Sequence, residues 1–305
     1  MRERLVANEF SRNLSTALAK RKDLFAKGSD TNAYRLINGP GDGFRDLVVD
    51  DFNGHWIAQT KSDPLPKELW ETGEFHALWW KRLAKEEKEA PELVAGSAPH
   101  SPLLIRENSV TFAIDPTAGY SCGLFLDQRE NRKCLLDLVD PGQKILNTFA
   151  YTCGFSVAAA TKGANTTSVD LSGNYLEWGK RNFKHNGLET DDHHFSKADV
   201  FERLAFFAKK QILFHGIVLD PPTFSRSKSR GTFRVESDYG DLVELATRCL
   251  DRSGWILCCA NTHRLSSADF TSILQSRVGS RFAMESVLMP PDFAGSDYLK
   301  SVWLR

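Results

Sequence analysis

No stretch of this sequence approaches the roughly 18 consecutive apolar residues that cross a bilayer. Its first residues, MRERLVANEFSRNL, also lack the apolar core of a secretory signal. Both absences predict a cytoplasmic protein. Cysteine supplies no framework either. Cys122, Cys134, Cys153, Cys249, Cys258 and Cys259 form no C-x-x-C pair and have no histidines at zinc spacing, so reduced thiols are the expectation. Net charge is missing too, because 39 basic residues cancel 39 acidic ones. That balance counts against a protein held to nucleic acid by bulk charge, and any nucleic-acid site must be local. There is no internal repeat and no low-complexity tract. With 41% hydrophobic residues and 20 Phe, the 305-residue chain can fill the core of one large or two ordinary domains.

The organising stretch runs from Lys144 to Asp170, KILNTFAYTCGFSVAAATKGANTTSVD. It reads as strand, tight turn of small residues, alanine-rich helix and β-branched strand. A parallel βαβ unit places its first turn and the second strand's carboxylate at one sheet edge, where nucleotide-like ligands bind. Asp170 lies about twenty residues beyond the turn, the spacing that meets a ribose diol. The turn Asn147–Gly154 has no G-x-G-x-x-G, which argues against a dinucleotide, whose pyrophosphate needs close glycine backbone.

Ahead of this unit, residues 1–30 read as a polar helix with Arg12, Lys20, Arg21 and Lys22 on a solvated face. Short strands follow (AYRLIN, DLVVDDF, HWIAQT), separated by the turns GPGDG and NG. Apolar residues at helical spacing predict an amphipathic helix over Lys67–Lys88, with Trp79 and Trp80 as packing residues. Two more strands fall near Pro102–Arg106 and Val110–Ile114. These elements make a small mixed α/β domain over residues 1–118.

Residues 119–305 alternate regularly. Strands are expected near 144–149, 165–170, 193–198, 212–219, 254–260, 281–288 and 298–304. Helices are expected near 155–162, 173–186, 200–209, 235–250 and 266–278. Such alternation gives a doubly wound, mostly parallel sheet. Only MPPDFAGSD separates the last two strands, too little for a crossover, so the final strand pairs antiparallel.

Four segments converge at the carboxyl edge of that sheet: Asn147–Gly154, Asp170, Ala198-Asp199-Val200 and Asp220-Pro221-Pro222-Thr223-Phe224. Asp199 is read either as a partner for an adenine edge or as an N-cap of the following helix. The two prolines remove donors and stiffen the turn. With the Asp220 carboxylate they leave an acceptor-rich rim for an NH-bearing planar group, and Phe224 offers a stacking face.

The segments GLFLDQRENR (123–132), ILNTFAYTCGFSVAAATKGA, VDLSGNYLEWGKRNFKHNGL and DPPTFSRSK resemble class I S-adenosylmethionine-dependent methyltransferases of bacterial large-subunit rRNA. YRLINGPGDGFRDLVVDDF is similar to that family's small linker domain. The resemblance implies a seven-stranded Rossmann-like sheet, S-adenosylmethionine as cofactor with S-adenosylhomocysteine as product, and RNA as partner. Carried over residue by residue, it puts Phe125, Asp127, Arg129, Phe149, Ala150, Tyr151, Thr152, Asp170, Leu171, Asp199 and Asp220 around the cofactor. Relatives often carry an N-terminal PUA module, for which these 305 residues leave no room.

Relatives that make 5-methylcytosine need a Cys nucleophile, because C5 reacts only after covalent attack at C6. Aligned on the strand WILCCA, that position is Asn261 here, and Cys258 and Cys259 fall inside the strand. ANTHRL and FRVESDYGDL resemble instead the guanine-N7 half of the bifunctional rRNA enzyme. In this reading Asp220, the Pro221 carbonyl and Phe224 grip the base and Asn261 bonds its edge. The basic loop SRSKSRGTFR supplies Arg226, Lys228, Arg230 and Arg234 to RNA. The alternatives are a small-molecule or protein acceptor, and a cofactor-binding scaffold without catalysis.

Overall fold

A computed structural model of the chain describes residues 2–26, 29–61, 64–83, 91–100, 102–118, 121–227 and 231–305. The side chains described exclude those of 2–8, 224–227, 231 and 232. Two units emerge: Met1–Arg129 with Pro290–Ser296, and Glu130–Met289 with Asp297–Arg305. The sequence placed the division near 118 and left residues 290–296 in the second unit; the segment Pro290–Ser296 instead completes the first.

The first unit opens with helix α1 (Arg2–Leu24). Its sheet has the order β1 (Ala33–Asn38), β2 (Val48–Phe52), β3 (His55–Thr60), β4 (Ala77–Arg82), β5 (Glu92–Gly96). Asn53 and Gly54, at φ 57° and 82°, make the two-residue turn between β2 and β3, as the twist of a hairpin requires. Between β3 and β4 the chain crosses over through the single turn α2 (Lys67–Trp70), and the two strands pair in parallel. A second hairpin, β6 (Leu103–Glu107) and β7 (Val110–Ile114), turns at Asn108 and Ser109, both at positive φ. Leu14 and Ala17 of α1 pack with Leu36, Ile37, Trp56 and Leu78 of the sheet.

Two expectations for this unit are corrected. Lys67–Lys88 is not one helix: α2 stops after Trp70 and Ala77–Arg82 is a strand. Ala77 to Lys81 are all buried, and a short run buried on both faces shows the same apolar spacing in a strand as in a helix. Residues 84–90 of that stretch lie outside the described residues. Trp79 and Trp80 do pack in the interior, and the Trp80 indole donates to Thr60 Oγ1 at 2.9 Å. Arg21 is not on a solvated face. It is 2% exposed and donates to both Asp42 carboxylate oxygens (3.1 and 2.6 Å), to Arg35 O (2.9 Å) and to Asp292 O (2.9 Å).

The second unit carries the alternating half. Helix α3 (Arg129–Leu138), whose first residue belongs to the first unit, leads in. There follow β8 (Lys144–Thr148), α4 (Gly154–Thr161), β9 (Asn165–Asp170), α5 (Gly173–His185), β10 (His194–Lys197), α6 (Val200–Lys209) and β11 (Phe214–Leu219). A hairpin of β12 (Phe224–Ser227) and β13 (Gly231–Arg234) precedes α7 (Val235–Thr247), β14 (Leu250–Asn261), α8 (Ser267–Val278), β15 (Met284–Val287) and β16 (Leu299–Leu304). The sheet order is β10-β9-β8-β11-β14-β16-β15, parallel except for the two pairs made by β16. This is the class I methyltransferase arrangement, with the antiparallel last strand that the short final connection requires. Successive residues face opposite sides. Leu146, Ile217, Ile256 and Cys258 pack under α6, α7 and α8, while Ile145, Val218, Leu257 and Cys259 pack under α3 and α4. Sequence reasoning missed α3, β5 and the β12–β13 hairpin, where it saw only a basic loop.

Candidate active site

Register fixes where the chemistry can occur. Thr148 pairs with Val169 and Leu219, and Leu219 with Cys258, so the residues that follow come out abreast at the carboxyl edge. The first is the turn after β8. Phe149, Tyr151 and Cys153 all have positive φ (53°, 48°, 63°), conformations that cost a non-glycine residue energy. Hydrogen bonds hold the turn in that shape: Ala150 N–H donates to Val169 O, and Cys153 N–H to Ala150 O at 2.7 Å. Asn182 Nδ2 donates to Thr152 O from α5. Beneath the turn, Asn147 Nδ2 donates to Ser156 Oγ, which meets Ser168 Oγ at 2.8 Å, tying β8, α4 and β9 together through buried polar groups.

The Asp170 carboxylate is tied to that turn. Oδ2 accepts from Tyr151 N–H at 2.9 Å and Oδ1 from Ser172 N–H at 2.8 Å. Burial raises its pKa, and the two N–H bonds oppose the rise. The next residue, Leu171, is 45% exposed. Asp199 is the N-cap of α6, with Oδ1 accepting from Phe201 and Glu202 N–H. Oδ2 takes no part in those two bonds.

On the other side of β8 lies the Asp220–Phe224 turn. Tyr239, fully buried, donates its hydroxyl to Leu219 O at 3.0 Å, just before Asp220. Thr223 Oγ1 donates to the Asn261 backbone carbonyl, joining this turn to the end of β14. The Asn261 amide makes no side-chain hydrogen bond among the described residues. Lys300 Nζ donates to Thr262 O at 2.8 Å, steadying the chain just past Asn261. Phe233, which the sequence reading did not single out, is 5% exposed; its ring lies 6.3 Å from Phe149 and 5.8 Å from Phe201. The signal for it was an aromatic within an otherwise basic run.

One fold unit therefore gathers Phe149–Thr152, Asp170, Leu171, Asp199, Asp220, Pro221 and Asn261 along a single edge. Phe224 and Arg226 stand on β12, with side chains outside the described set, as are Lys228 and Arg230 entirely. Arg234 is exposed, and its N–H donates to Asp238 Oδ2. Phe125, Asp127 and Arg129 belong to the first unit. There Arg129, 3% exposed, pairs with both oxygens of Asp292 and lies 4.9 Å above the Phe25 ring. Its guanidinium is thus committed to holding that unit together, a partner the motif alone could not reveal.

The family described as S-adenosylmethionine-dependent methyltransferase matches residues 75–303. The chain belongs to it. This methyltransferase is 33% identical over 318 residues to a Bacillus subtilis protein provisionally named ribosomal RNA large subunit methyltransferase YwbD, covering 97% of this chain and 80% of that one. It is 30% identical over 318 residues to a Deinococcus radiodurans ribosomal RNA large subunit methyltransferase, covering 96% and 78%. Among solved structures, SMU.776, provisionally named a methyltransferase and complexed with S-adenosylhomocysteine, superposes at TM-score 0.89 with 26% identity, over 98% of this chain and 82% of that one.

The methyltransferase's cofactor is S-adenosylmethionine, which carries a transferable methyl on its sulfonium. The described residues suit such a group: a half-buried carboxylate already fixed at the end of β9, and a helix, α4, whose N-cap Cys153 supplies no side-chain cap. Among the described residues no cluster could hold a metal ion, and no helix is long and apolar enough to cross a membrane. All six cysteines are free.

Proposed function

We propose that this methyltransferase modifies a base of ribosomal RNA, at a nitrogen and without a covalent enzyme–RNA intermediate. The RNA acceptor is supported by the names of its relatives. The chemistry is supported by one observation: Asn261, and no thiol, stands at the carboxyl end of β14 beside the Asp220–Phe224 turn. Cys258 and Cys259 are both 0% exposed and sit inside β14 on opposite faces. Burial also pushes the Cys258 thiol well above its ordinary range, although a Tyr239 hydrogen bond opposes this. It is thus far from a thiolate nucleophile.

In this reading Asp170 would hold the ribose of S-adenosylmethionine, Asp199 Oδ2 would meet its adenine, and the α4 N-terminus would receive its amino-acid carboxylate. Asp220, the Pro221 carbonyl and Phe224 hold the base, with Asn261 at its edge. A ring nitrogen such as guanine N7 already has a lone pair, so alignment of acceptor and methyl supplies most of the acceleration. The basic residues Arg226, Lys228, Arg230 and Arg234 grip phosphates near the target, and the protein works in the cytoplasm.

The test is methyl transfer from labelled cofactor to ribosomal RNA, followed by nucleoside analysis. An N-methylated base is expected. A 5-methylcytosine product, or a denaturation-stable complex with 5-fluorocytosine RNA that is lost in Cys259→Ser, would overturn the nitrogen assignment. Label reaching no RNA would overturn the RNA assignment.

A further inference from the structure

The first unit contains a cleft of about 270 Å³ that has no part in the site above. We infer that this cleft is a second RNA contact, taking one unpaired nucleotide with its base inside and its phosphate at Arg106. The inference rests on the RNA reading of the previous section.

The cleft's chemistry is built in by register. Tyr34 and Asp51 are cross-strand partners on β1 and β2, and both line it. The Asp51 carboxylate, 8% exposed, accepts from Gly54 N–H at 2.6 Å and from the Tyr34 hydroxyl, so a fixed acceptor group forms the floor. Burial raises its pKa to about 6. Phe25 stacks on Tyr34 with the rings 4.4 Å apart and 2° from parallel, an aromatic wall of the type that unpaired bases use.

Donors stand around the mouth. Asn32 Oδ1 already accepts from Arg106 N–H at 2.6 Å, so what Asn32 offers a ligand is its NH₂. Asn53 is held by its own N–H to Asn32 O, leaving its side-chain amide to the cleft. The exposed Arg106 guanidinium makes no ion pair among the described residues. An acceptor floor, amide donors, an aromatic wall and a lone guanidinium match a nucleobase edge, its face and its phosphate. The volume lies near the lower end of ligand pockets, about 300 Å³. It admits a base with part of its ribose and excludes a duplex.

The test uses the full chain and a short unstructured oligoribonucleotide containing 4-thiouridine. Affinity is read by fluorescence anisotropy, and photo-cross-links are mapped by mass spectrometry. Asn32→Ala and Arg106→Glu are each expected to weaken RNA binding about tenfold, with Arg106→Lys retaining most of it. Unchanged calorimetry with S-adenosylhomocysteine and unchanged near-ultraviolet circular dichroism and melting temperature in all three show that both units of the variants fold. Cross-links are expected on Phe25 or Tyr34. If the wild type binds RNA while both variants bind equally well and cross-links fall only on the second unit, the cleft assignment is wrong and the RNA reading stands. If the wild type binds no RNA at low salt, both fall.

Discussion

The Asp170 carboxylate is fixed by two backbone N–H groups before any ligand arrives, so it loses little freedom on accepting a ribose hydroxyl. Asp170→Ala is therefore expected to cost about 1.5–3 kcal/mol of cofactor binding, read by calorimetry with S-adenosylhomocysteine. Because burial raises this pKa, affinity should fall as pH drops through the raised value, earlier than an exposed carboxylate would allow. Asp51 makes a different prediction. Its pKa rises from 3.8 to about 6 on folding, so between those values the folded chain holds a proton that the unfolded chain has released. Asp51 thus favours folding below the window, and that contribution is lost as pH rises through it. Asp51→Asn should flatten the dependence of the melting temperature on pH between about 4 and 6.

At the scale of elements, the segment Pro290–Ser296 does more than connect β15 to β16. Asp292 is fully buried, receives Arg129 and the Arg35 N–H, and its carbonyl receives Arg21. Asp292→Ala keeps the carbonyl that receives Arg21 but leaves the buried Arg129 guanidinium and the Arg35 N–H without their acceptor, and a loss of about 3–5 kcal/mol in denaturant unfolding is expected. Gly41 lies so near this segment that an added Cβ would overlap the Ala294 carbonyl oxygen, so Gly41→Ala should destabilise the same unit. None of this was legible in the sequence. Arg21 reads as one more solvated base, and Arg129 as part of a cofactor motif, because their partners lie 271 and 163 residues away. What could be read was local. The β-branched NTTSVD and the apolar IVLD declare strands, Asp199 offers a cap as one of two readings, and the brevity of MPPDFAGSD declares the antiparallel ending. Ala77–Lys81 failed because burial on both faces erases the period that separates strand from helix.

For the whole molecule, balanced charge sets how RNA can be held. With 39 bases against 39 acids, overall charge gives RNA no general attraction, and the contacts proposed above are Arg106 and the basic residues of 226–234. The logarithm of RNA affinity should fall with the logarithm of salt at a slope of roughly −2 to −4. A slope near −8 would mean that many more basic residues than those proposed meet phosphate. The fold also has an order of synthesis written into it. Residues 1–129 of the first unit are completed by residues 290–296, so on the ribosome they wait until synthesis has passed Pro290 before Arg21 and Arg129 meet Asp292. Closing so long a loop is slow. During that wait the small unit exists only as an unfinished nascent segment, and an early stop codon anywhere ahead of Pro290 would leave it permanently so.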